Sequence, residues 1–399
     1  MLKRVIKVLL VIILLVIGII AAKMAWVEIQ SPSAGEYHEW EDSRVFRLNK
    51  EAARATAVPF HNLAAAMAPQ DNSSPYTESL NGTWRFIWVK RPQQRPLNFY
   101  EPDYDDSKWS DITVPSNWEI QGFGIPLYAN THVPWAKVGR MSSQTFHGFP
   151  PYVTFLSGTN PPYVRKDYNP VGSYRKTFTI PDGWKNRDVY IQFAGVKSAF
   201  YVWVNGQKVG YSQDSFTAAE FNISQYLQPG ENTLAVEVYR WSDGSYLELQ
   251  DMWRLSGIFR DVDLIAKAPL HINDFAITTD LDSQYKNAQL KVSSWVKGEL
   301  ANAKTVDMEV YLQGHQFKKA TLLAKKRLKS KTKQTDFSVS VIEPKLWSAD
   351  IPNLYQLAIV LLDENGNWLD GVSQQVGFRE VEITAGQLLV NGKAIYLKE

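Results

Sequence analysis

A stretch in the middle of the chain sets carboxylates among aromatic side chains. Between Arg240 and Asp261 the sequence RWSDGSYLELQDMWRLSGIFRD carries four acidic residues, two tryptophans, a tyrosine and a phenylalanine. Carboxylates accept hydrogen bonds from sugar hydroxyls, and the apolar C–H faces of a pyranose ring stack on indole faces. The composition of this stretch therefore indicates a place where a sugar could be held.

These carboxylates do not by themselves predict the catalytic pair of a glycosidase. Retaining glycosidases place two carboxyl groups about 5–5.5 Å apart across the scissile bond. Glu248 and Asp251 stand three residues apart, and nothing around them fixes their separation or raises a pKa. Asp243 lies in Ser-Asp-Gly, a pattern typical of a turn-capping aspartate. Trp241 and Trp253 are predicted to lie in the core, as most tryptophans do.

The overall composition excludes several classes of function. The chain has 399 residues, a formal net charge of +2 and no cysteine, so disulfide bonds and cysteine metal sites are excluded. The nearly balanced charge, which we interpret as spread along the chain, argues against nucleic acid as a partner. Six histidines are scattered without the HExxH spacing of a zinc site. The length allows two or three domains.

The N-terminus has the pattern of an export signal. Lys3, Arg4 and Lys7 flank the start of the apolar run Val8–Ala22, and a positive start before such a run is typical of a signal peptide. Residues 1–22 are therefore predicted to be a hydrophobic helix that is either cleaved or retained as an anchor, with residues 5–22 in the membrane. Both forms predict an exported chain, periplasmic or membrane-anchored.

After an extended arm or linker over residues 23–78, the sequence predicts strands. The segment SYRKTFTI at Ser173–Ile180 alternates between two side-chain faces. The segment at Ala199–Ser212 predicts a hairpin, because Asn205-Gly206 supplies the positive φ angles of a tight turn. Short strands separated by Gly, Pro and Asn turns predict an all-β fold. Residues 79–268 are therefore predicted to form an antiparallel sandwich of jelly-roll type.

A second strand-rich domain is predicted after Ala268-Pro269. About seven strand patterns follow over residues 269–379, which suits an immunoglobulin-like sandwich that acts as a spacer. Residues 380–399 then read as two short strands around Asn391-Gly392. Two strands bury too little surface to close a domain, so this tail is predicted to be the opening of a further domain that is missing.

An ordered series of longer motifs runs along the chain. It consists of EWEDSRVFRLNKEAARATAVPF, SLNGTWRF, VPSNWEIQGFGIPLYAN, VNGQKVGYSQDS, RWSDGSYLELQDMWRLSGIFRDV, PKLWSADIPNLY and VGFREVEI. In this series the chain resembles the N-terminal half of the β-galactosidases of glycoside hydrolase family 2, with Trp135–Thr159 as an insertion. The resemblance implies a galactose-binding-like jelly roll, an immunoglobulin-like sandwich and then a catalytic TIM barrel. Residues 380–399 would be the first hairpin of that barrel, so both catalytic glutamates would lie beyond position 399.

The resemblance also assigns roles to individual side chains. Asp251 and Asn130 match an aspartate and an asparagine that bind galactose hydroxyls in the family, and Asp251 also matches a sodium ligand. Asp243, Gln213 and Asp42 match positions of a magnesium site beside the N-terminal arm. The intact family enzyme is thus expected to use sodium and magnesium.

The resulting hypothesis is a sugar-binding and scaffold portion of an exported β-galactosidase. Its ligand would be a β-galactoside, and it would be inactive alone unless a separately encoded catalytic barrel joins it. One alternative is a membrane-tethered carbohydrate-binding protein without catalysis. Another is an assembly protein whose sandwiches dock a second protein.

Overall fold

The structure is a computed structural model that describes residues 38–68, 74–128, 166–299, 305–329 and 331–396, with Val133, Pro162 and Val164. Strands dominate these residues, and their one α-helix is α1, Leu63–Ala66, capped by the Asn62 side chain, which accepts from Ala65 N at 2.8 Å. None of the helical segments in the described ranges is long and apolar enough to cross a membrane. The hydrophobic helix predicted over residues 1–22 lies outside the described residues. The all-β prediction is confirmed for the part that the structure describes.

The first half of the described chain is a sandwich of antiparallel sheets. One sheet has the strand order β1-β10-β9-β12-β6-β3-β4 and the opposite one β11-β7-β15-β2. Val202 and Val236 from the first sheet and Ile191 and Leu264 from the second lie fully buried in one core. The strands are β1 Arg47–Leu48, β2 Thr77–Ser79, β3 Gly82–Val89, β4 Ser110–Val114, β5 Leu127–Tyr128, β6 Val171–Thr179, β7 Asp188–Phe193, β8 Val196–Lys197, β9 Ala199–Val204, β10 Gln207–Ser212, β11 Ala219–Asn222, β12 Glu231–Tyr239, β13 Trp253–Arg254, β14 Gly257–Ile258 and β15 Val262–Lys267.

The predicted hairpin joins β9 to β10. Asn205 and Gly206 have φ angles of 50° and 80°, as a two-residue hairpin turn requires. Further along β10, Gly210 lets β1 come close, because a Cβ atom there would lie 2.5 Å from the Leu48 carbonyl oxygen. The sequence NGQKVG therefore builds both a turn and the place where the N-terminal segment joins the sheet.

The second half is another antiparallel sandwich, followed by a small sheet of short strands. Its sheets have the orders β16-β17-β20 and β19-β18-β21-β22, and Leu290 and Val292 pack against Val310 and Ile359 in a separate core. The predicted tail hairpin is confirmed as the β24–β25 pair. The strands are β16 Leu270–Leu281, β17 Ala288–Gly298, β18 Thr305–Gly314, β19 Phe317–Lys329, β20 Gln334–Val341, β21 Tyr355–Leu362, β22 Trp368–Val376, β23 Val381–Thr384, β24 Gln387–Val390 and β25 Lys393–Ala394.

Residues 47–67, which we call the arm, cross both sandwiches. The arm begins as β1 on the edge of the first sheet. It then reaches the second sandwich, where Phe60 N donates to Gly371 O at 2.8 Å and Trp368 Nε1 donates to Phe60 O at 2.8 Å. Phe60 is buried there in an apolar cluster with residues of β21. The arm therefore ties the two sandwiches together.

A buried polar junction lies where the sandwiches meet. Glu220 of the first sandwich accepts from Lys267 Nζ at 2.6 Å and also pairs with Arg54 of the arm. Asp370 of the second sandwich accepts from Ile272 N at 2.8 Å, and burial raises its pKa to about 6. The junction thus combines a carboxylate paired with two cations and a buried carboxyl that takes up a proton at a higher pH than an exposed aspartate does.

Candidate functional site

Asp251 lies at an exposed corner of the first sandwich, beside two aromatic rings. The corner is formed where β5 pairs with β13, so that Tyr128 stands opposite Trp253. The Tyr128 hydroxyl donates a hydrogen bond to Asp251 Oδ1, which raises the pKa of Tyr128. Tyr128 is 51% exposed and Trp253 57% exposed, with their ring centroids 5.7 Å apart. The corner therefore presents an oriented carboxylate and two aromatic surfaces to solvent.

A buried ion pair between Arg240 and Glu119 holds the two strands of this corner in place. The Arg240 side chain, which directly follows β12, is fully buried, and its Nη1 lies 3.6 Å from Glu119 Oε1. Its Nη2 donates to Arg254 O at 2.9 Å and to Ile125 O at 3.1 Å. Arg240 thereby fastens both strands of the corner, because Ile125 precedes β5 and Arg254 belongs to β13.

Burial sets the protonation behaviour of this pair. The pKa of Glu119 is raised by burial, which outweighs the opposing charge of Arg240. The other oxygen of Glu119 accepts from Ser256 N at 2.8 Å. The carboxylate thus bridges two chain segments that flank the corner.

Glu248 anchors the loop that leads to Asp251. Its carboxylate accepts from Ser215 N at 2.9 Å and from Ser215 Oγ at 2.7 Å. Lys197 Nζ lies 3.9 Å from Glu248 Oε2, and burial lowers the pKa of that lysine. Lys197, Glu248 and Arg254 line a cavity of about 10 Å³, which is room for a single water. Glu248 is therefore a structural residue and is not placed to act on a substrate.

The residues assigned to magnesium lie at a second corner, beside the start of the described chain. Gln213 Nε2 donates to Asp243 Oδ1 at 2.7 Å. Burial raises the pKa of Asp243, and the negative charge of Asp42 adds to this effect. Trp40 of the segment Glu39–Glu41 stacks on Tyr239 with ring centroids 5.1 Å apart. The structure thus brings Asp42, Asp243 and Gln213 to the same corner.

The donors at this corner fit magnesium only in part. Oxygen donors are the ligands that magnesium prefers, and Asp42 and Asp243 supply carboxylates. However, Arg44 donates to both Asp42 oxygens, at 2.8 and 2.6 Å. In the described ranges no group of three or more His, Cys, Asp or Glu side chains is arranged to hold a metal ion.

Family models match most of the chain. Residues 77–148 and 148–269 match the sugar binding domain of glycosyl hydrolases family 2. Residues 270–379 match a second model, described as glycosyl hydrolases family 2. The chain belongs to glycoside hydrolase family 2.

Curated relatives of this family 2 chain are β-galactosidases. That of Priestia megaterium is 40% identical over 369 residues, covering 92% of the chain and 34% of the relative. That of Psychromonas ingrahamii is 39% identical over 368 residues, covering 90% of the chain and 33% of the relative. The chain thus spans about a third of the length of these relatives.

Solved structures of bacterial glycosidases share the fold. A β-glycosidase from Bacteroides vulgatus superposes with a TM-score of 0.56 at 26% identity, covering 80% of the chain and 36% of that protein. Bacteroides uniformis β-glucuronidase 2 superposes with a TM-score of 0.57 at 24% identity, covering 79% of the chain and 34% of that protein. The two-sandwich arrangement is therefore seen in larger glycosidases.

The structure corrects one sequence prediction and leaves another unexamined. Trp241 is buried at 3% exposure, as predicted, but the core prediction for Trp253 is wrong. Trp253 belongs to a two-residue strand at the rim, where its ring contacts the exposed ring of Tyr128. Tyr128 was not among the predicted site residues, although the pattern LYAN places it two residues before Asn130. Asn130 itself lies outside the described residues.

Proposed function

We propose that this chain is the sugar-binding and scaffold portion of a β-galactosidase. In this proposal the first sandwich is a galactose-binding-like jelly roll and the second is an immunoglobulin-like spacer. The observation that carries the proposal is the corner where Tyr128 orients the Asp251 carboxylate at an exposed rim. Support also comes from β-galactosidase relatives that align over 90% or more of the chain.

The chemistry of the corner suits a sugar ligand. A carboxylate held by one hydrogen bond keeps other lone pairs for sugar hydroxyls, and the same oxygens suit a sodium ion. Trp253 offers an exposed indole on which the apolar face of a galactose ring can stack. By the family resemblance, Asn130 would add an amide from another loop. The corner would therefore bind and orient the sugar and leave bond cleavage to other groups.

The catalytic carboxylates would come from a region like the part of the curated relatives that lies outside their alignment with this chain. Hydrolysis needs two carboxyl groups facing one glycosidic bond, and Glu248, the acid nearest to Asp251 in sequence, already accepts two hydrogen bonds from Ser215. The curated relatives are about three times as long as the aligned region and have room for such residues. These residues would belong to a catalytic barrel. If that barrel is encoded separately, it would be a second chain that binds this one.

Complementation tests this proposal. The full chain would be mixed with the Priestia megaterium β-galactosidase from which the aligned first third is deleted, and hydrolysis of a nitrophenyl galactoside would be followed. We expect activity with the wild-type chain and at least a tenfold loss with Asp251→Asn. The matched control is Asp103→Asn, an exposed aspartate away from the corner. Equal activity of the two variants would refute a role for Asp251, and no activity with any of them would refute the shared-site proposal.

A second candidate is a tethered carbohydrate-binding protein without catalysis. It is favoured by the exposed Tyr128–Trp253 pair, which is available without any partner chain. Calorimetry with methyl galactoside would separate the candidates, since only this one requires binding by the chain alone.

In either case we propose an exported location, periplasmic or membrane-anchored through residues 5–22.

We also propose magnesium at the corner that holds Asp42, Asp243 and Gln213. A magnesium ion there would have to displace Arg44 from Asp42. A rise in the unfolding temperature with millimolar magnesium, lost in Asp243→Asn, would support it. Unchanged unfolding temperatures with magnesium and with EDTA would contradict it.

A further inference from the structure

The chain contains four Asn-Gly pairs whose surroundings differ. In such a pair the backbone nitrogen of the glycine can attack the side-chain carbonyl carbon of the asparagine, because glycine has no Cβ atom to hinder the approach. The dipeptide is the same in all four places, so the structure around each pair decides how easily it reacts. The pairs are Asn81-Gly82, Asn205-Gly206, Asn365-Gly366 and Asn391-Gly392.

Three of the four asparagine side chains are fixed at both ends. Their side-chain oxygens accept hydrogen bonds from Val262 N to Asn81 at 3.0 Å, from Thr233 N to Asn205 at 2.9 Å and from Glu380 N to Asn391 at 3.0 Å. Their side-chain nitrogens donate from Asn81 to Asp261 Oδ1 at 2.9 Å, from Asn205 to Tyr226 O at 2.9 Å and from Asn391 to Trp347 O at 3.0 Å. Both bonds must break before such a side chain can turn towards the next backbone nitrogen.

Asn365 has no such restraint. It lies exposed in the turn between β21 and β22, residues 363–367. Its backbone nitrogen donates to Asp363 Oδ1 at 2.9 Å, but its side-chain amide makes no hydrogen bond to any residue that the structure describes. A Cβ atom added at Gly366 would meet nothing within 4 Å, whereas one at Gly392 would lie 2.5 Å from the Tyr285 ring. Rotation of the Asn365 amide and access of water are therefore both unhindered.

We infer that Asn365 is the site at which the folded chain undergoes intramolecular deamidation. The Gly366 nitrogen loses its proton and bonds to Asn365 Cγ, the Cγ–Nδ2 bond breaks, and Nδ2 leaves as ammonia after taking up a proton. Water then opens the resulting succinimide ring at either carbonyl. The products are aspartate and isoaspartate, so one water is consumed, one ammonia is released and nothing is oxidised.

The reaction begins with local opening of the turn. Gly366 N donates to Asp363 O at 3.0 Å, and Asp363 N donates to Asn367 O at 2.9 Å. The first of these bonds has to open before the nitrogen can attack, and exposed turns open at little cost in free energy. This inference does not depend on the proposed sugar site.

Deamidation at this place would reach the arm. Isoaspartate adds one carbon atom to the backbone of the turn, and the two turn bonds no longer fit the longer path. Trp368, the first residue of β22, follows directly and donates from Nε1 to Phe60 O at 2.8 Å. The isoaspartate form should therefore hold the arm less firmly on the second sandwich.

Peptide mapping by mass spectrometry tests the inference in the full chain. The purified chain would be aged in mildly alkaline buffer, and electron-transfer fragmentation would distinguish isoaspartate from aspartate at each pair. We expect conversion of Asn365 at least tenfold faster than of the other three, because each of those must first break two hydrogen bonds. The rate should rise between about pH 7 and pH 9, because the attacking nitrogen must lose its proton.

Two controls separate the structure from the dipeptide. In the chain unfolded by urea the four pairs should react at similar rates. Asp261→Ala removes the acceptor of the Asn81 amide and should speed conversion of Asn81 by roughly threefold or more. Conversion of another pair as fast as Asn365 in the folded chain, or conversion at Asn365 only after unfolding, would overturn the inference.

Hydrogen exchange measures the effect on the arm. The Phe60 amide, which donates to Gly371 O at 2.8 Å, should exchange faster in the isoaspartate form than in the fresh chain. Asn365→Asp adds the charge without lengthening the backbone and should exchange like the wild type. Equal exchange in the isoaspartate form and in Asn365→Asp would exclude an effect of the longer turn on the arm.

Discussion

Replacing Arg240 by methionine should destabilise the first sandwich and loosen the Asp251 corner. Methionine keeps much of the volume but removes the charge that faces Glu119 and the donors to the carbonyls of Ile125 and Arg254. Removing one partner of a buried ion pair costs about 3–5 kcal/mol, because the other charge stays buried without compensation. For a domain of this size we therefore expect the unfolding temperature to fall by about 10 °C.

The loss should depend on pH in a defined direction. Burial already raises the pKa of Glu119, and removing Arg240 raises it further. A carboxyl with a raised pKa contributes stability below its unfolded pKa, and this contribution is lost as the pH rises through the folded value. The deficit of Arg240→Met should therefore be smallest near pH 5 and should grow towards neutral pH. Urea unfolding followed by circular dichroism at both pH values measures it.

Two further variants make this prediction refutable. Adding Glu119→Gln to Arg240→Met removes the uncompensated charge and should recover part of the lost stability. Arg91→Met, at an exposed position, should change the free energy of unfolding by less than about 0.5 kcal/mol. If Arg240→Met is as stable as this control, or if its deficit is the same at both pH values, the account of the corner is wrong.

Three other perturbations address the rim, the arm and the junction. Trp253→Ala should weaken galactoside binding, measured in the complemented enzyme, about fivefold while leaving the unfolding temperature nearly unchanged, because the ring is exposed. Phe60→Ala should cost about 3–5 kcal/mol in urea unfolding, whereas the exposed Phe46→Ala should cost under about 0.5; equal costs would contradict anchoring by the arm. Burial raises the pKa of Asp370 to about 6. Protonation of this carboxyl therefore adds to the free energy of unfolding at low pH, and the added stability is lost as the pH rises through that value. The stability of the wild type relative to Asp370→Asn should thus fall by about 2–3 kcal/mol from about pH 4 to pH 7, and a constant difference would exclude this.

The sequence predicted those parts of the fold that depend on local patterns. Alternation placed a strand at Ser173–Ile180, and the structure has β6 at Val171–Thr179. The turn at Asn205-Gly206 is specified by the backbone conformations of those two residues alone. All-β architecture follows from the repetition of such short-range signals.

Features set by distant contacts escaped prediction. The course of the arm depends on Phe60 meeting Gly371 and Trp368, which are about three hundred positions away. The exposure of Trp253 depends on its pairing with Tyr128, a contact between two-residue strands without a periodic signal. The meeting of Gln213 with Asp243 was implied only by family resemblance, and no sequence pattern indicated that Arg44 binds Asp42.

The arm has a consequence for biosynthesis. The arm is among the first described segments to leave the ribosome. It cannot pack in its final position until β22 has been made, because it contacts Trp368 and Gly371 of that strand. Domains made early generally fold as units during translation. The first sandwich can therefore form while the last part of the arm, from Phe60 to its end at residue 67, is not yet packed. The apolar side chain of Phe60 then stays exposed to solvent until the second sandwich has been made.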